Sequence, residues 1–187
     1  ALRDLKMLRA YAKKHHGLAD IMPWDVGYYS EKLKHSLFDF SSEDLRPYFP
    51  LDHVLKGCFD HFSKLFDVSF KPARGYDVWH KDVKVFELRE KTGGKFIGTL
   101  FADFHPRAGK KDGAWMTSFR DQGLYRGKVQ RPVIAIVCNF TKPTKQRPSL
   151  LTHDEVTTLF HEMGHAMHGL LSEVRYRSLS GTNVLWD

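Results

Sequence analysis

The sequence predicts an α+β protein in which helices come first, a small, mostly antiparallel sheet of about four strands follows, and one long helix closes the order. Three observations carry this expectation. Apolar residues recur at helical spacing through the opening third. Short runs with strand character, separated by turn residues, fill the middle. A capped amphipathic segment stands near the end.

Residues 2–16 place Leu2, Leu5, Leu8 and Ala12 on one side, and Gly17 stops the run. Pro23, Trp24 and Asp25 are suited to open a second helix reaching Ser36. Residues 51–66 repeat apolar groups at Leu51, Val54, Leu55, Cys58, Phe59, Phe62, Leu65 and Phe66, a strongly amphipathic pattern. Val83, Val85 and Leu88 alternate with polar groups, Phe86 being the exception. Residues 92–95, Thr-Gly-Gly-Lys, read as a hairpin turn into a longer strand over 96–104. Residues 114–119 make a short strand. The unbroken apolar run 133–138 fits a strand covered on both faces. Two prolines and three basic residues mark 142–148 as a surface loop. Thr152 and Glu155 then match a capping box at the head of a helix continuing to about Ser172.

Composition narrows the class of protein. With 42% hydrophobic and 27% charged residues, the 187-residue chain has the balance of a folded globular protein. No stretch approaches the ~20 apolar residues of a membrane span, so no membrane partner is expected. The net charge of +7 raises the question of nucleic acid. The basic residues are scattered among acids, however, and no nucleic-acid motif is present, so none is expected as a partner. Cys58 and Cys138 stand apart in apolar stretches and read as buried free thiols, consistent with a reducing, cytoplasmic setting. The first residues read as mid-helix and the last are apolar, so both ends read as cuts from a longer parent.

The chemistry lies at His161-Glu162-Met163-Gly164-His165. With Val156 at zero and about 100° per residue, Leu159, Phe160, Met163, Met167, Leu170 and Leu171 fall within about 60° of it, forming the stripe that must face a core. His161 and His165 fall near ~140° and ~180°, opposite the stripe, with Glu162 at their flank. Histidines one turn apart can converge on one zinc ion at the ~2.0–2.1 Å of Zn–N bonds. Glu162, as general base, can take a proton from the attacking water and return it to the leaving amine. His is 11 of 187 residues, and chance gives roughly 0.02 matches to H-E-x-x-H in a chain of this make-up. His168 lies about 10.5 Å along the helix from His161, which suits packing better than ligation. Position 171 is Leu rather than His, against the metzincin extension. Gly164 is costly in a helix by about 1 kcal/mol relative to Ala, which close approach of another backbone or of substrate would explain, simple tolerance of the glycine being the alternative.

The run 153–169, with its flanks 132–140 and 176–183, resembles the thimet oligopeptidase, oligopeptidase A and dipeptidyl carboxypeptidase family of zinc metallopeptidases. The likeness looks closest to the bacterial dipeptidyl carboxypeptidase branch. Pro23-Trp24-Asp25 and residues 98–110 share it, so the resemblance spans nearly the whole chain. It implies a zincin-like piece of a larger, mostly helical peptidase: a helical part at 1–67, a sheet part at 68–141 and the active-site helix at 149–172. It implies His161 and His165 as metal ligands, Glu162 as the catalytic residue and short peptides as substrates. Met163 and Met167 stand where Phe and Leu are common, swaps on the core stripe. The family's third zinc ligand, a glutamate, would lie about three residues beyond Asp187, and the residues that steady the tetrahedral intermediate further on. The 187 residues alone are therefore expected to bind zinc weakly or not at all, to be inactive, and to dimerise through surface left uncovered. A non-catalytic module that holds peptides or a partner is the alternative.

Substrate backbone is expected to pair with a sheet edge, with 96–104 and 114–119 as candidates. Gly109, Gly113 and Gly123 would permit close approach or serve as turns. Arg107, Lys110 and Lys111 would meet a peptide carboxylate or lie on a solvated loop.

Overall fold

The computed structural model describes residues 2–38 and 41–185. They form two compact units, Ala1–Leu45 and Arg46–Asp187. The first holds α1, Leu2–His16, and α2, Val26–Phe38, around Leu8, Ala12 and Ile21. Gly17 ends α1 in the left-handed conformation (φ 65°), with Leu18 N–H donating to Ala12 O at 3.4 Å. The Gly17 N–H donates to Lys13 O at 3.2 Å, closing the helix as an αL turn, a geometry that suits glycine because it has no Cβ. Pro23–Asp25 form a turn rather than a first helical turn. Asp25 accepts the Met22 N–H on its side chain at 3.1 Å, and α2 starts three residues later than expected.

The second unit follows a 3-10 helix, Ser42–Tyr48, that spans the boundary. It opens with α3, Leu51–Phe66. Asp67 (φ 53°) ends α3 and turns the chain directly into β1, Val68–Pro72. β2, Lys84–Glu90, and β3, Phe96–Asp103, form the expected hairpin, whose turn needs positive φ at Gly93 and Gly94. β4 is Trp115–Arg120. β5, Gly123–Tyr125, and β6, Lys128–Gln130, make a separate small hairpin, and β7 is Val133–Val137. The main sheet has five strands in the order β1-β2-β3-β7-β4. All neighbours are antiparallel except β3 and β7. The fifth strand, β1, was not expected. Its Pro72 donates no N–H, which suits an outer strand.

The closing helix, α4, is His153–Leu170. Its residues Leu159, Met163, Met167 and Leu170 join Leu55, Cys58 and Phe62 of α3 against one sheet face, where Leu88, Leu100, Ile134 and Ile136 complete the core. Val85, Phe101 and Ala135 cluster on the opposite face. β7 is thus covered on both sides, as its unbroken apolar run predicts. Gly98 of β3 lies beneath the end of α4. A Cβ there would fall 2.9 Å from the Pro132 carbonyl and 2.8 Å from a Leu170 methyl, so only glycine fits without displacement.

The head of α4 is fixed as the sequence predicts. Thr152 Oγ1 accepts the Glu155 N–H at 3.1 Å, and Glu155 Oε2 accepts the Thr152 N–H at 2.7 Å. Thr152→Ala is expected to cost about 1 kcal/mol, lowering Tm by roughly 2–4 °C. Thermal unfolding of the variant against wild type measures it.

Candidate active site

The five residues 161–165 occupy the middle of α4, where capping at one end and core packing along one side leave little freedom to rotate. His161 and His165 are exposed, on the side away from Leu159, Met163 and Met167. Their Nε2 atoms lie 3.1 Å apart, with ring planes at 90° and centroids 4.7 Å apart. Two nitrogens at ~2.0–2.1 Å from one tetrahedral ion stand about 3.3 Å apart. The imidazoles therefore converge at nearly the spacing a single divalent ion requires, and a shift of a few tenths of an ångström would complete the fit.

Glu162 is more enclosed than its position at the flank of the helix predicts, at 6% exposure. With Ala166 and Gly169 it makes a second buried strip on α4, beside the predicted apolar one. The strip faces the sheet: a Cβ on Gly169 would meet the Ile134 side chain of β7 at 2.9 Å. Just past β7, the Cys138 thiol is pushed up to about 12 by burial, with the Glu162 charge adding to the effect. Cys58 is likewise buried and free, and burial alone pushes it up to about 12. Neither thiol is poised as a nucleophile or as a metal-binding thiolate.

Gly164 is exposed, and nothing lies within 4 Å of where its Cβ would be. No backbone of a described residue closes on it, contrary to one of the two reasons offered for a glycine there. His168 is exposed and lines a cavity of about 550 Å³ with Phe62, Phe66 and Leu171.

Of the two candidate substrate edges, pairing rules one out. β3 has β2 on one side and β7 on the other, so its backbone is fully engaged. β4 is an outer strand that pairs with β7 alone among the described strands and packs on α4. Gly109 and Gly113 take positive φ in open turns, while Gly123 is approached by Arg177 of the same chain.

Lys111 is exposed on the loop, whereas Arg107 and Lys110 are drawn into an ion-pair cluster. Both are engaged by Asp103, a residue sequence reasoning passed over. Asp103 ends β3 at 1% exposure. Arg107 donates to both its oxygens at 2.8 Å, the Trp79 indole N–H reaches one at 2.9 Å, and Lys110 Nζ the other at 2.9 Å. Burial pushes the Asp103 pKa upward, but the bonds from Arg107, Trp79 and Lys110 outweigh it and hold the carboxyl well below the usual carboxylate range. An acid at a strand end, followed by bases four and seven residues on, was the available signal. Among the described residues there is no group of three or more His, Cys, Asp or Glu placed to share a metal, and no helix long and apolar enough to cross a membrane.

The family model described as peptidase family M3 matches residues 1–187. Oligopeptidase A of Escherichia coli (strain K12) is 40% identical over 187 residues, covering 99% of this chain and 27% of the relative. Dipeptidyl carboxypeptidase of the same organism is 39% identical over 185 residues, covering 98% and 27%. A probable cytosolic oligopeptidase A of Arabidopsis thaliana is 34% identical over 196 residues, covering all of this chain and 28% of the relative. The chain thus spans just over a quarter of the length of these relatives. The first two identities differ by one percentage point and do not separate the oligopeptidase A branch from the dipeptidyl carboxypeptidase branch.

Proposed function

The chain belongs to peptidase family M3, and from that premise we propose that it forms the core of a zincin active site in a zinc metallopeptidase that hydrolyses short peptides, as an oligopeptidase or peptidyl-dipeptidase. The observation that carries the reading is the pair of Nε2 atoms 3.1 Å apart on one exposed face of α4. His161 and His165 hold the ion. When bound, zinc supplies Lewis acidity, polarising the scissile carbonyl and acidifying the attacking water. Glu162 takes the proton from that water and delivers it to the departing amine. The free side of β4 pairs with the peptide backbone and lays the scissile bond beside α4.

A catalytic zinc site takes three protein ligands and leaves one position open. We assign two to these 187 residues and the third to sequence outside them, together with the groups that steady the tetrahedral intermediate. The buried free thiols Cys58 and Cys138 suit a reducing, cytoplasmic setting, and the reading needs neither nucleic acid nor a membrane.

Metal analysis and a quenched-peptide assay test this division. The full-length enzyme is expected to hold one zinc per chain and to lose turnover in EDTA. The 187-residue chain is expected to keep little zinc after dialysis and to cut no peptide. EDTA-sensitive turnover by the 187 residues alone would disprove the assignment of ligands, and a full-length protein without stoichiometric zinc would disprove the metallopeptidase reading.

A further inference from the structure

The loop joining β3 to β4 is held by an unusual set of bonds. Lys110, whose side chain is 4% exposed, points inward, and the carbonyls of Asp103, His105 and Cys138 and the Asp103 carboxylate surround its Nζ, four acceptors sharing three N–H groups. Those acceptors come from the end of β3, the loop itself and the residue just past β7. Next along the chain, Asn139 donates from Nδ2 to Lys111 O at 3.0 Å and to Gly113 O at 2.8 Å. Backbone bonds from Cys138 N to Asp103 O and from Phe140 N to Phe104 O, each 2.8 Å, continue the β3–β7 pairing past the strand ends. The chain therefore reaches Ala114 and Trp115, where β4 begins, pinned at Lys110, Lys111 and Gly113.

A structural core seldom needs a buried ammonium for this. Burying an ion is costly even when it is paired, and an apolar residue of similar volume would often serve stability as well. What a buried Lys adds is direction, because three N–H donors on one nitrogen set the relative positions of several carbonyls at once. Here those carbonyls lie at the root of the outer strand that packs on α4. β7, which leads into the Cys138 carbonyl that receives Lys110, itself packs on α4.

We propose that Lys110, held by Asp103 and assisted by Asn139, is a positioning residue that sets the root of β4 beside α4, so that a peptide paired with β4 meets His161, Glu162 and His165 in register. The inference rests on the metallopeptidase reading for its substrate, although the placement of β4 is a property of the fold itself. Neither Lys110 nor Asn139 touches the reacting atoms in this scheme. Their loss loosens the peptide edge and leaves the metal in place.

The test uses Lys110→Met and Asn139→Ala in the full-length enzyme, read by zinc content, by amide exchange of residues 115–120 and by kinetics on a quenched short peptide. Expected are unchanged zinc, exchange in β4 faster by about tenfold or more with the β2–β3 hairpin unaffected, and KM raised about tenfold with kcat within about threefold. Asn139 is only half-buried, so Asn139→Ala decides the matter if Lys110→Met fails to fold. Wild-type exchange in β4 together with wild-type KM would overturn the proposal. So would a fall in kcat with loss of zinc at unchanged KM, which would mean that the cluster supports the metal site instead. If the wild-type enzyme cuts no peptide, the metallopeptidase reading falls, and exchange in β4 alone then decides whether the cluster positions the strand.

Discussion

Glutamine in place of Glu162 is expected to lower kcat of the full-length enzyme about 10²–10⁴-fold, the usual contribution of a positioned general base. The amide matches the carboxylate in shape, so the buried strip Glu162, Ala166 and Gly169 stays packed against β7. Neither imidazole is touched, and zinc content and KM are expected to change little. Only the capacity to take a proton is lost. Steady-state kinetics with metal analysis on the same preparation measures the effect. A kcat within about threefold of wild type, with zinc retained, would remove Glu162 from the mechanism.

Asp103→Ala is expected to destabilise the protein by about 3–5 kcal/mol, the range found when one partner of a buried ion pair is deleted. The carboxylate is the shared partner of Arg107, Lys110 and Trp79. Without it, Lys110 remains almost fully enclosed with no described counter-ion. Acid should act in the same direction. The Asp103 pKa is depressed in the folded state, whereas an unfolded aspartate titrates near ~3.9. Its contribution is fully present above that value, because both states are then ionised. As pH falls below about 4, the unfolded state takes up a proton that the folded state resists, and the contribution is lost progressively toward the folded pKa. Urea unfolding at neutral pH and between about pH 5 and 3 should show wild type losing stability faster than Asp103→Ala. Parallel losses would show that the cluster is not what acid breaks.

Much of this protein was legible locally. The capping box at Thr152 and Glu155, the glycine stop at Gly17, the Gly93-Gly94 turn and the doubly covered run of β7 each depend on residues within a few positions of one another. The alignment of His161 with His165 is equally local, since one helical turn sets it. Other features were not legible in this way, among them the β5–β6 hairpin, β1 and a second buried strip on α4. β1 was overlooked although Val68 and Phe70 alternate with polar residues, because it is short, ends in Pro72 and follows α3 with only Asp67 between. The second buried strip of α4 carries a glutamate and a glycine, neither of which registers as apolar when the helix is read as a wheel.

Local spacing was enough to specify the helix, its two imidazoles and the carboxylate between them, because the geometry of an α-helix is set by its own backbone. Which strand lies outermost, and where Arg107 and Lys110 point, was decided by pairing across the folded unit. β7 inserts between β3 and β4, enclosing one candidate edge and exposing the other. Asp103 is then buried at the rim with two cations drawn in behind it. Neighbours in a sheet and partners of a buried charge are chosen by distant residues competing for the same space, and no pattern within one segment encodes that outcome.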